Sequence, residues 1–428
     1  MTIIVTKSSP VIVRPSTSLA PPTAEHIKLS SFDKALAFSP FTSFLVFDRA
    51  IHEPAETVKR ALSRALVPYF PIAGRATAAA DGELRISCTG DGVSFVSASA
   101  NCSLEDVKLF DPPFSKLLME LAIDYPEGTC HETDPLLLVQ VTEFSCGGYV
   151  LGTTWNHAVA DGTGMAQFIQ AVGDFARGLS QPCVFAVTCG DNTLPELPPL
   201  VTVVNKMMVS LEPQGFVYQD ITVPWKLINR VKSEFATGGH GVDDEPCTVF
   251  EAVVAVMWRC RTRVVMSDPD APAPLVFAAN VRKHVGAKGG YFGNCVTTVV
   301  TVARSGEVAN GDINDVVRVI KRAKKGIPGQ FKDAAGAGEE GHTEEEEQLD
   351  VLFGYNAFYV SSWRNLGFDM ADMGGGRPAR VMCHVELTAV PNCVACMPCA
   401  GKDGANVLAL CVKEEHADAF VGEMEMLV

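Results

Sequence analysis

The chain has 428 residues, 47% of them hydrophobic and 20% charged, a globular balance that excludes a disordered, collagen-like or coiled-coil protein and gives length for two domains. Lys and Arg total 35 against 50 Asp and Glu, and this net charge of −15 excludes a protein that grips nucleic acid through its phosphates, so any anionic ligand needs a local basic patch. No apolar run reaches the roughly 18 residues that cross a bilayer, and 14 scattered Cys without a secretory signal point to reduced thiols and a cytoplasmic address rather than a disulfide framework.

Residues 2–5 and 11–13 are short β-branched runs that read as strands. Pro54, Val58, Leu62 and Leu66 sit at helical spacing ahead of Pro68, which predicts an amphipathic helix over 54–66. Residues 83–88 and 93–96 alternate around Gly90-Asp91-Gly92 as a first hairpin, and 136–144 with 149–155 form a second around Cys146-Gly147-Gly148. The second hairpin runs straight into Asn156 and His157. Met165, Phe168, Ile169, Val172 and Phe175 form a helical stripe just after Gly162-Thr163-Gly164, so His157 lies on a strand-to-helix turn.

Residues 191–200 hold three prolines and lead into a variable-looking stretch, the best linker candidate. The expected division is an N-terminal domain over 1–190, a crossover linker over 191–215 and a C-terminal domain over 216–428. Thr248 followed by Glu251 is a capping box for an apolar helix over 249–260. A second helix over 315–327 carries Lys321, Arg322, Lys324 and Lys325. Residues 333–347 have no apolar periodicity and read as a surface loop.

Most motifs fail on context. Gly336, Gly338 and Gly341 spell G-x-G-x-x-G, but in an acidic stretch with no strand before it, where a pyrophosphate is repelled. Neither G-x-x-x-x-G-K-[ST] nor G-x-S-x-G occurs, so neither a P-loop nor a hydrolase elbow is signalled. Cys393, Cys396 and Cys399, with Cys383 and His384 upstream, have spacing that suits zinc. A strand reading, however, puts Cys393 and Cys399 on one face and Cys396 on the other, so no metal is expected. His157, four residues ahead of Asp161 and Gly162, carries the chemistry: an imidazole in a Gly-flanked turn is accessible and suited to moving a proton near neutral pH. The plainer alternative is a capping histidine satisfied by backbone. A second H-x-x-x-D, His240 to Asp244, lacks the Gly and shows how easily the looser pattern arises.

Nearly end to end, the chain resembles the plant BAHD family of acyl-CoA-dependent acyltransferases. The matching segments are LVPYFPIAGR at 66–75, WNHAVADG at 155–162, Phe250-Glu251 with Trp258-Arg259, NVR at 280–282, YFGN at 291–294, Ser361-Ser362-Trp363 and DMGGG at 372–376. The resemblance implies an α/β protein of two chloramphenicol-acetyltransferase-like domains, each a mixed β-sheet flanked by helices, with the active-site channel at their interface. It implies that His157 is the general base for an acceptor that attacks the acyl-CoA thioester in a ternary complex. Asp161 then braces the turn by pairing with Arg282, and Gly162 keeps the turn free of a Cβ clash.

For CoA, the resemblance implies that Ser361, Ser362 and Trp363 line the pantetheine arm, and that Asp372, Gly374 and Gly376 shape a loop beside the channel. Met373 and Gly375 replace the Phe and Trp of the family's D-F-G-W-G. Lys324 and Lys325, in the densest basic cluster, are the candidates for the CoA phosphates, with a solvated helix face as the alternative. Members that use shikimate or quinate tend to carry Arg where this chain has Asn365, which argues against those acids. The expectation is a monomeric cytoplasmic transferase of plant specialised metabolism. It moves an acyl group, foremost of hydroxycinnamoyl or benzoyl type with malonyl and acetyl donors still open, from CoA to an alcohol, phenol or amine, with no permanently bound cofactor. A CoA thioesterase using water and a non-catalytic ligand- or protein-binding module stay open as rivals.

Overall fold

A computed structural model describes residues 2–16, 25–78, 82–188, 194–210, 212, 214–238, 245–333, 351–384 and 388–427. The N-terminal half contains β1 (Val5–Lys7), β2 (Val11–Val13), β3 (His26–Lys28), α1 (Ser31–Lys34), β4 (Pro40–Phe47), α2 (Pro54–Ala65), β5 (Arg75–Ala78), β6 (Leu84–Ser87), β7 (Val93–Ala100), β8 (Leu137–Phe144), β9 (Tyr149–Asn156) and α3 (Gly162–Ala176). The C-terminal half contains α4 (Pro199–Ser210), β10 (Gln219–Pro224), α5 (Trp225–Thr237), α6 (Val249–Val265), β11 (Pro272–Asn280), β12 (Val296–Arg304), α7 (Ser305–Asn310), α8 (Ile313–Lys325), α9 (Ile327–Asp333), β13 (Phe358–Ser362), β14 (Arg380–Cys383), β15 (Asn392–Met397), β16 (Gly404–Leu410) and α10 (Glu414–Met426).

These strands make two large mixed sheets and one small one. The first sheet has the order β1-β7-β8-β9-β4-β14, with β2 also on β7; the second runs β10-β16-β15-β13-β11-β12; β3, β6 and β5 form the third. The architecture is the mixed α/β one expected. β14 crosses over from the C-terminal half and pairs antiparallel with β4, so the first sheet is completed by a strand from beyond the chain midpoint. Arg380 on that strand, fully buried, pairs with Asp220 of β10 and with Asp111 at 2.9 Å, tying the two sheets together.

The hairpin of β8 and β9 forms as its alternation requires, but every residue of β9 is buried because both faces of the sheet are covered. α2 and α3 pack together; the α2 residues Val58 and Leu62 are buried, each such side chain contributing roughly 1.5–3 kcal/mol. The second core surrounds α6, whose capping box of Thr248 and Glu251 is present and whose residues from Glu251 to Thr262 are buried.

Three expectations are corrected. The first hairpin does not exist: β6 joins the small sheet, whereas β7 joins the first large sheet, because Gly90 and Gly92 at positive φ turn the chain from one sheet into the other. The stretch expected as the crossover linker carries α4, a helix whose Val201 and Val204 are buried, which leaves that expectation as it stood. α8 stops at Lys325, and Ile327 opens α9 beyond Gly326. In β15 the register shifts between Val394 and Met397, and Cys396 adopts φ +58°, so Cys393 and Cys396 both face the second core instead of opposite sides. Every Cys among the described residues is a free thiol, and no group of three metal-ligating side chains occurs among them. No helix among them is long and apolar enough to cross a membrane. The His240–Asp244 pair and the 336–341 glycine string lie outside the described residues.

Candidate active site

His157 follows the last residue of β9, where the main-chain N–H donates to the Ser39 carbonyl at 2.9 Å. Its ring stands edge-on to Phe41, with centroids 5.8 Å apart. Nδ1 lies 2.9 Å from Oδ1 of Asn294. The Asn294 amide cannot be turned round, because its Nδ2 donates to the His157 carbonyl at 2.7 Å and to Asp33 Oδ1 at 2.9 Å. Oδ1 accepts only, so Nδ1 carries the ring proton and Nε2 keeps its lone pair. Burial lowers the His157 pKa from its usual 6.5, opposed by the charges of Asp161 and Asp33 and by the Asn294 bond. The imidazole is therefore neutral and basic at Nε2 near pH 7.

Asp33 anchors this arrangement from α1. Ser30 caps that helix with a reciprocal Ser30–Asp33 box, and the buried Asp33 carboxylate also accepts the Asn294 main-chain N–H at 3.0 Å. Burial pushes the Asp33 carboxyl upward, and the Ser30 and Asn294 bonds pull it back. Neither Asp33 nor Asn294 was among the sequence candidates. Asn294 closes the YFGN match, and Ser30 with Asp33 spells the same capping box read at Thr248, so both left a local signal.

Asp161 points to the other side of the turn. It caps α3 by accepting from Gly164 N at 2.9 Å, pairs with Arg282 at 2.8 and 2.9 Å, and accepts from Cys295 N at 2.9 Å. Arg282 in turn donates to the carbonyls of Gly293 and Tyr291 at 2.7 and 3.2 Å. One carboxylate thus fastens the His157 turn to the segment that carries Asn294. A Cβ on Gly162 would lie 2.8 Å from Leu366 Cδ1, and one on Gly164 only 1.7 Å from the Phe292 carbonyl oxygen, so Gly164 is the tighter constraint on that approach.

A cavity of about 600 Å3 lies between the two large sheets, walled by Phe41, Thr42 and Thr154 on one side and by Tyr359, Ser361 and Val394 on the other. His157 does not itself line this cavity; Phe41, which does, is the residue in contact with its ring. Of the residues expected to hold CoA, Ser361 lines this cavity, and Ser362 follows it on β13. Trp363 is buried behind Phe41, with centroids 5.7 Å apart, and stacks on Phe368 at 4.8 Å.

Asp372, Gly374 and Gly376 do not line the cavity. Asp372 Oδ1 accepts from the N–H groups of Gly374 and Gly376 at 2.8 and 2.9 Å, both glycines at positive φ, while its carbonyl accepts from Arg177 at 2.5 Å. This closed loop sits against the end of α3, and Gly375 leaves no room for a side chain beside Ile51. The basic cluster has an acid packed against it. Lys324 donates to buried Glu251 at 2.5 Å and Lys321 lies 3.3 Å from the same carboxylate, so these two cations neutralise the α6 cap; Lys325 is the next residue on the helix. Helical spacing exposed their positive charge but not the acid brought against it.

A protein-family model described as "Transferase family" matches residues 3–427. Among curated relatives, Acyl transferase 15 of Oryza sativa subsp. japonica is 44% identical over 444 residues, covering 100% of this chain and 99% of that protein. Myricetin 3-O-glucosyl 1,2-rhamnoside 6'-O-caffeoyltransferase AT1 of Crocosmia x crocosmiiflora is 33% identical over 447 residues, 99% of each chain. Of solved structures, vinorine synthase matches with a TM-score of 0.71 at 20% identity, over 99% of this chain and 98% of its own. TRI101 of F. sporotrichioides, complexed with coenzyme A and T-2, matches with 0.67 at 17% identity, over 94% and 98%. At these identities the two structures speak to the fold.

Proposed function

We propose, from the premise that the chain belongs to the Transferase family, the BAHD acyltransferases, that its acyl transfer runs from CoA to a hydroxyl or amine through His157 as general base. The observation that carries this reading is the Asn294 amide. By holding the ring proton on Nδ1, it leaves Nε2 to take the acceptor's proton as the acceptor oxygen or nitrogen attacks the thioester carbonyl. The tetrahedral adduct then expels the CoA thiolate, which recovers the proton from Nε2. Both substrates are present together, since a base that needs no acyl-enzyme leaves no role for a covalent intermediate.

An aromatic acyl group of hydroxycinnamoyl or benzoyl type fits the cavity better than an acidic one. Among the described residues on its walls there is no Lys or Arg to meet a carboxylate, and the walls are mainly apolar. That the Crocosmia relative is named a caffeoyltransferase supports the same class. CoA is a co-substrate here, a reading supported by coenzyme A in the TRI101 complex, and Ser361 and Ser362 are the side chains proposed beside its arm. Asp161, Gly162 and Arg282 support the turn. The protein works as a cytoplasmic monomer of plant specialised metabolism.

The test is thiol release from a panel of acyl-CoAs, with pooled alcohols, phenols and amines, by the wild type and His157→Ala. Acceptor-dependent release that is lost in the variant upholds the proposal. Release that ignores the acceptor overturns it in favour of hydrolysis, and release undiminished in His157→Ala removes the base from His157.

A further inference from the structure

Three strands of the first sheet bring three polar side chains into one row on the cavity wall. Thr42 of β4 lies directly opposite Thr154 of β9, with their hydroxyl oxygens 2.9 Å apart. His384 follows β14, where its main-chain N–H meets the Thr42 carbonyl at 3.3 Å, and its ring stacks on Phe44 with centroids 5.3 Å apart. Residues 42 and 44 share a face of β4 by the two-residue period, so the imidazole lies on the face that carries the threonines. All three line the cavity, and the threonine side chains are more than nine-tenths buried.

Two hydroxyls bonded to each other use one O–H proton and keep the second. The pair therefore has a donor to spend, in a place where an unspent buried donor costs about 1–3 kcal/mol. Beside it stands an imidazole, able to donate or accept. No Lys or Arg lines the cavity among the described residues, and the one carboxylate on its wall, Asp124, is exposed. The row is thus fitted to an uncharged group that both donates and accepts, and the surrounding Phe41, Tyr125 and Tyr359 suit a flat ring around that group.

Position along the strand sets the size. Ser39 holds the His157 backbone and Thr42 holds the His384 backbone, three residues apart on the same run, or about 10 Å at ~3.3 Å per residue. An acetyl group does not bridge that span; an aryl group bearing a distal hydroxyl does. We infer that the Thr154–Thr42–His384 row is a recognition subsite for a phenolic hydroxyl, carried in on the acyl group or on the acceptor. This rests on the acyl transfer proposed above and names a feature of its substrate.

The test compares ligands that differ only by that hydroxyl. In the donor arm, p-coumaroyl-CoA and cinnamoyl-CoA are titrated calorimetrically into the wild type, Thr42→Val and His384→Phe. In the acceptor arm, tyrosol and 2-phenylethanol are compared as acceptors for cinnamoyl-CoA in the same three proteins. The expected result is a wild-type preference of about tenfold for the hydroxylated member in one arm, as one to two added hydrogen bonds give. That preference falls to within about twofold in both variants, and the arm in which it occurs identifies the source.

Equal treatment of both members in both arms by a wild type that binds and turns over cinnamoyl-CoA overturns the subsite and leaves the acyl-transfer proposal standing. A preference that survives in both variants also overturns it. Absence of any thioester binding or turnover removes the acyl-transfer proposal itself. The wild-type comparison needs no variant, so a substitution that fails to fold does not protect the inference.

Discussion

Asn294 holds His157 at two points, the ring through Oδ1 at 2.9 Å from Nδ1 and the backbone through Nδ2 at 2.7 Å from the carbonyl oxygen. The two contacts fix both where the imidazole stands and which nitrogen is bare. In the role proposed for His157, a proton on the wrong nitrogen is as disabling as no base, so the amide matters as much as the imidazole it serves.

Asn294→Ala is therefore expected to lower kcat by ~10²-fold or more while the KM for acyl-CoA changes little, since general-base catalysis is worth about 10²- to 10⁴-fold. Steady-state kinetics on the folded variant check this. A rise confined to KM would show that Asn294 binds substrate rather than orienting the base.

The pH dependence has a definite sign. With its pKa lowered by burial, His157 stays neutral across the physiological range, and the acidic limb of kcat/KM has its midpoint below 6.5. Asp33→Asn removes a charge that opposes the lowering, so the limb moves further toward acid. A limb that stays in place would reduce Asp33 to a packing role. For stability, the unfolded chain holds more His157 protons than the native one between the lowered value and 6.5. Unfolding free energy due to this group therefore rises with pH through that window, and acidification costs stability.

Asp161→Asn is expected to lose activity and stability together. It leaves the Arg282 guanidinium without its buried partner, a change that costs about 3–5 kcal/mol, and it loosens the 291–295 segment that carries Asn294. Thermal melting and turnover measured side by side check the coupling. A variant with wild-type stability and no activity would give Asp161 a chemical role instead.

Lys324→Ala is expected to act on folding before substrate. The substitution takes a charge-assisted bond from buried Glu251, worth roughly 1.5–3 kcal/mol, and should lower the melting temperature with little change in the KM for acyl-CoA. A raised KM at unchanged stability would return Lys324 to the CoA phosphates.

Much of this was legible because the signals are local. Apolar periodicity marks α2, α3 and α8, and the alternation around Gly147 marks the β8–β9 hairpin, since side-chain direction in helix and strand depends only on near neighbours. The Gly-flanked turn marks His157 as the candidate base for the same reason. The pairing of Asp161 with Arg282, which the family resemblance implies, is present at 2.8 Å.

What only the tertiary structure decided is every relation that joins distant stretches. Asp33 and Asn294 are 261 residues apart, Thr154 on β9 and His384 just past β14 are separated by β4, and Glu251 meets Lys324 across two helices. The broken first hairpin and the bulge at Cys396 belong here too, because the sheet that a strand joins, and the residue it leaves unpaired, depend on what else is packed there. Local spacing settles what a residue can do; packing settles which partner makes it do so.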